Sequence, residues 1–96
     1  MRRCHNMGEH GPSWARVLLT CSQICARHGL RELTLDLSDW MASTVAALTP
    51  FAVTDPGTRS VAHACSSWRA ELMKAAGDEA GAADARKVLR KLDAMP

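Results

Sequence analysis

The sequence predicts an all-α protein: a compact bundle of four helices in a single domain, residues 12–96, behind a flexible N-terminal arm of residues 1–11. Three observations predict it. Apolar residues make up 47% of the 96-residue chain and aromatics only 4%, so burial rests on Ala, Leu, Val, Met and three tryptophans, a mix that suits helices better than strands. Four segments repeat apolar residues at three- and four-residue steps, and each is bounded by glycine, proline or a capping side chain. The length fits one hydrophobic core.

The first helix, residues 13–28, opens at Pro12 and Ser13 and closes at Gly29, which can take the left-handed conformation that ends a helix. Its stripe is Trp14, Val17, Leu18, Cys21, Ile24, Cys25 and His28. Next comes "LRELTLDL", in which Leu33, Leu35 and Leu37 alternate with polar residues. A lone strand would have no partner, so an extended linker or a gradual lead-in to helix is expected. The second helix, residues 38–49, then starts with Ser38 as cap and Asp39 at the positive end of the dipole. It uses Leu37, Trp40, Met41, Thr44, Val45 and Leu48, and Pro50 ends it.

Thr54 or Asp55 caps the third helix, residues 56–76, with Pro56 in its first turn and Gly77 as its stop. Val61, Cys65, Trp68, Leu72 and Ala75 or Ala76 form its apolar face. Asp78 and Glu79 are able to begin a fourth helix, but Gly81 is expected to push the start to Ala82, giving residues 82–94 with Ala85, Val88, Leu89 and Leu92 inward.

The net charge of +2 is too small to imply nucleic acid or an anionic membrane by itself. Its distribution says more. Residues 1–31 hold five arginines against Glu9, residues 32–55 hold four acids and no base, and the last helix holds Arg86, Lys87, Arg90 and Lys91. Such opposed blocks suit complementary helix packing or a charged partner. Arg2 and Arg3 are not followed by the apolar run of a secretory signal, and no eighteen-residue apolar stretch occurs, so a cytoplasmic protein with reduced thiols and no membrane contact is expected.

Chemistry concentrates in "CSQICARH". Cys21, Cys25 and His28 stand at helical spacing and could converge on a zinc ion, with Cys65, His63 or the Cys4-His5 pair as fourth ligand. No C-x-x-C pair accompanies them. The simpler reading treats Cys21, Cys25 and Cys65 as small hydrophobes facing the core, and a disulfide from Cys21 or Cys25 to Cys65 is the third possibility. His28, one residue before Gly29, suits the negative end of the helix dipole.

No enzyme and no cofactor are expected. His63 and Cys65 are two residues apart on a helix and point to different sides, Asp36 and Asp39 flank a helix start, and no glycine-rich phosphate loop occurs. The expected function is that of a small regulatory protein acting by protein–protein binding, an adaptor or inhibitor docking on a larger partner, with a homodimer as an ordinary outcome. Arg86, Lys87, Arg90, Lys91, Asp36 and Asp39 are the expected contact residues. Two alternatives stand beside it: a nucleic-acid-binding protein using the basic last helix, and a zinc-stabilised helical domain.

Overall fold

Glycine and aspartate set the helix ends. In the computed structural model, which describes residues 7–95 with side chains from residue 12 onward, four helices follow one another: α1 (Met7–Arg27), α2 (Arg31–Ala52), α3 (Pro56–Ala76) and α4 (Glu79–Asp93). Gly29 and Gly77 take positive φ of 73° and 81°, as the expected helix stops require. At each, the following residue reaches back to the last turn: Leu30 N–H donates to the Cys25 carbonyl and Asp78 N–H to the Met73 carbonyl. Asp55 caps α3 by accepting from Gly57 N–H and from the Thr58 hydroxyl, with Pro56 in the first turn.

The four expected helices are present, and their boundaries differ in four instructive places. α1 already includes Met7, so residues 7–11 of the expected arm are helical, while residues 1–6, with Cys4 and His5, lie outside the described residues. α2 begins at Arg31 rather than Ser38, which corrects the extended reading of "LRELTLDL". The physical reason is that Thr34 and Ser38 face fully inward while the alternating leucines spread round the helix, Leu33 exposed, Leu35 half-buried and Leu37 against the edge of the core. The buried set Thr34, Ser38, Met41, Val45, Leu48 and Ala52 keeps a helical period from the first turn to the last. Thr34 supports that first turn by donating its hydroxyl to the Leu30 carbonyl. Pro50 does not end α2 but sits in its last turn, where little helix remains to be disturbed. In α4, Asp78 accepts from Gly81 N–H, and this cap lets the helix start at Glu79 in spite of Gly81.

Helices α1 and α2 form one hairpin and α3 and α4 another; α2 and α3 join them, α1 packs along part of α3, and α4 touches α2 only lightly. The result is a slab of 35 × 34 × 17 Å. Its core is Leu18, Met41, Val45, Leu48, Val61, Cys65 and Leu92, filled in by Ala15, Ala52 and Ala62. A polar chain ties three helices at one level. Trp68 Nε1–H donates to Ser22 Oγ at 2.9 Å, and Ser22 Oγ donates to the Thr34 carbonyl at 3.3 Å. His63 Nε2 lies 3.2 Å from Asp93 Oδ1 and links the exposed rims of α3 and α4.

Candidate interaction surface

The interior is built largely of small residues. α1 turns Ala15, Leu18, Ser22 and Cys25 inward. Beside Met41 and Leu48, α2 buries Thr34, Ser38, Thr44 and Ala52, and α4 buries Gly81, Ala82 and Ala85 beside a single large residue, Leu92. Small side chains let helices approach closely. They also leave room inside for only some of the bulkier apolar residues, Leu18, Met41, Leu48, Met73 and Leu92 among them, and none for several others.

Those residues are consequently on the surface. Trp14, Val17 and Ile24 follow one another along the outside of α1 at helical spacing, and Leu33, Trp40 and Phe51 do so along α2. Trp40 is 60% exposed and Trp14 44% exposed. The two stripes meet, because the Trp14 and Trp40 rings lie 6.3 Å apart at 43°, within the range of a favourable tilted aromatic pair. The hairpin thus carries one apolar face, with Leu30 at its closed end. Six side chains of roughly 150–250 Å² each, about half exposed, leave on the order of 600 Å² of apolar surface, at the upper end for the largest patch on an ordinary monomer.

Sequence periodicity found these residues but placed several on the wrong side. Trp14, Val17, Cys21 and Ile24 belong to the predicted inward stripe of α1 and are exposed, and Trp40 is likewise outside on α2. The physical reason is a rotation of α1 about its axis. Ser22 is drawn inside by its bonds to Trp68 and Thr34, and the other flank of a broad apolar stripe turns outward as a consequence.

The cysteines divide accordingly. Cys25 and Cys65 are buried and Cys21 is exposed, all three as free thiols. Cys65 donates a weak bond to the Ala15 carbonyl at 3.6 Å, and burial pushes its thiol pKa up to about 11. Among the described residues, no three His, Cys, Asp or Glu side chains converge as a metal site, so Cys21, Cys25, His28 and Cys65 are not gathered on one point. Exposed His28 follows the last residue of α1.

All six expected contact residues are exposed. Asp36 and Asp39 are on α2, and Arg86, Lys87, Arg90 and Lys91 are on the outer side of α4. These are two separate groups, since α2 and α4 barely touch. Asp36 borders the apolar face, one turn from Leu33 and Trp40, whereas the α4 cations lie on the other hairpin. No described helix is long and apolar enough to cross a membrane. Compared with known proteins, the chain matches no family model, no curated protein and no solved structure.

Proposed function

We propose that this chain is a small cytoplasmic regulatory protein that acts by protein–protein contact, an adaptor or inhibitor that docks on a larger partner through the α1/α2 face. One observation supports the reading above all: bulky apolar residues of α1 and α2, two tryptophans among them, are outside while alanine, serine and threonine take many of the inward positions between Leu18, Met41, Val45 and Leu48. Exposed aromatic anchors carry binding energy when a partner desolvates them, and surface of this size has no stabilising role in an isolated monomer. Asp36 and Asp39 on α2 add a charged rim that steers association.

The test uses the full chain as bait. A protein captured by the wild type is expected to be lost with Trp40→Glu and kept with Arg90→Glu. Loss with the second variant and not the first would overturn the choice of face.

A second reading draws on α4, whose four cations are exposed and make no ion pair among the described residues. Nucleic-acid binding there would weaken steeply with added salt, whereas docking through Trp14 and Trp40 would barely respond. Failure to bind DNA or RNA at low salt removes this reading.

A further inference from the structure

We propose that the α1/α2 face is closed in the free protein by a second copy of the same chain, in a two-fold dimer that sets α1 of each copy against α2 of the other. This rests on the reading above that the face is a binding surface, and it names the first occupant.

Area is the first argument. The apolar stripe of on the order of 600 Å², with half-buried Leu37 and the polar rim added, reaches the roughly 800 Å² per partner that a standard stable interface buries. The second argument is charge, and it selects the axis. From residue 12 onward α1 carries Arg16 and Arg27 and no acid, whereas α2 carries Glu32, Asp36 and Asp39 with Arg31 as its single base. None of Arg16, Arg27, Glu32, Asp36 and Asp39 makes an ion pair within the chain among the described residues, so all five remain available.

Two hairpins stacked face to face have two choices of two-fold axis. An axis across the helices sets α1 on α1 and α2 on α2, like charge on like charge. An axis along the helices sets α1 on α2, basic on acidic, twice over. The second arrangement preserves height along the hairpin. Arg27, at the closed end of α1, then meets Glu32 in the first turn of the other copy's α2. By the same geometry the Trp14–Trp40 pair, already in contact within one hairpin, meets its own counterpart, and four tryptophans close the centre.

Light scattering and sedimentation of the full chain across micromolar to millimolar concentration are expected to give twice 10.4 kDa. Trp40→Glu and, independently, Trp14→Ala should give monomers with unchanged helicity, because both side chains lie outside the core. Arg27→Glu and Glu32→Arg should each weaken dimerisation about tenfold, and the double variant should recover most of the loss. Cys21 lies between Val17 and Ile24 on the covered stripe, so its alkylation should slow as protein concentration rises. A strict monomer at millimolar concentration overturns the proposal, as does a dimer untouched by either tryptophan variant. If the chain is a monomer yet Trp40→Glu still abolishes capture of another protein, the dimer fails and the docking face stands. If Trp40→Glu alters neither, both fail.

Discussion

A single hydroxyl shows how the interior differs from an oil-like core. Ser38 is fully buried in the middle of α2, and its Oγ has no hydrogen-bond partner among the described residues. The sequence around it suggests a cap position instead, because serine before aspartate and an apolar run is a common helix start. Burial without a partner is unfavourable, so Ser38→Ala is expected to raise stability by about 1 kcal/mol in thermal or urea unfolding. A loss of stability would mean that the hydroxyl has a partner in solution. Cys65 gives the pH-dependent counterpart. Its pKa is raised from 9.0 to about 11 by burial, so the unfolded chain releases this proton before the folded one does. The stabilisation is therefore complete below about pH 9 and lost as pH climbs toward 11, by on the order of 2 kcal/mol. Cys65→Ala should flatten that alkaline slope, and at neutral pH alkylation should reach Cys21 well before Cys25 or Cys65.

The glycine stops and the start of α3 were legible in the residues themselves, whereas the starts of α1, α2 and α4, the end of α2 and the phase of α1 were not. Gly29, Gly77, Asp55 and Pro56 act through their own backbone or their nearest neighbours, so local chemistry suffices to place them. Gly77→Ala should accordingly cost roughly 1–2 kcal/mol, the strain of a left-handed non-glycine residue. Gly81 is different, since its importance lies in what faces it. A Cβ there would stand 2.8 Å from Asp78 Oδ2 and 2.9 Å from Met73 Sδ. Helix propensity alone predicts that Gly81→Ala gains up to about 1 kcal/mol, while overpacking and a displaced cap cost roughly 1–3 kcal/mol. The variant is expected to be the less stable one in thermal unfolding. The rotation of α1 follows the same logic: Cys21 and Ser22 are adjacent small residues, and the Trp68 ring from α3, donating to Ser22, together with the Ser22 bond to the Thr34 carbonyl, decides which of them faces in.

The whole molecule is thin, and its helices are unequally held. α2 and α3 sit between neighbours, whereas α4 leans on α3 and is anchored by Leu92 with three small residues. Amide hydrogen exchange is therefore expected to be faster along α4 than along α2 and α3, and uniform protection across the four helices would contradict this packing. The thinness also explains the exposed apolar face. A slab 17 Å deep has room for few large side chains between its helices, and α4 packs chiefly on α3 rather than over α1.

From its sequence alone this protein was already determined to be a four-helix chain with stops at Gly29 and Gly77 and a start at Thr54 or Asp55, because such signals act over a turn or two and need no distant partner. Which face of α1 meets the core, and that Trp40 of α2 does not, was decided only in the tertiary structure. A broad stripe such as Trp14 to Cys25 can be buried on either flank, and hydrogen bonds between residues dozens of positions apart, together with the close approach that small residues allow, tipped the choice toward serine inside and tryptophan outside.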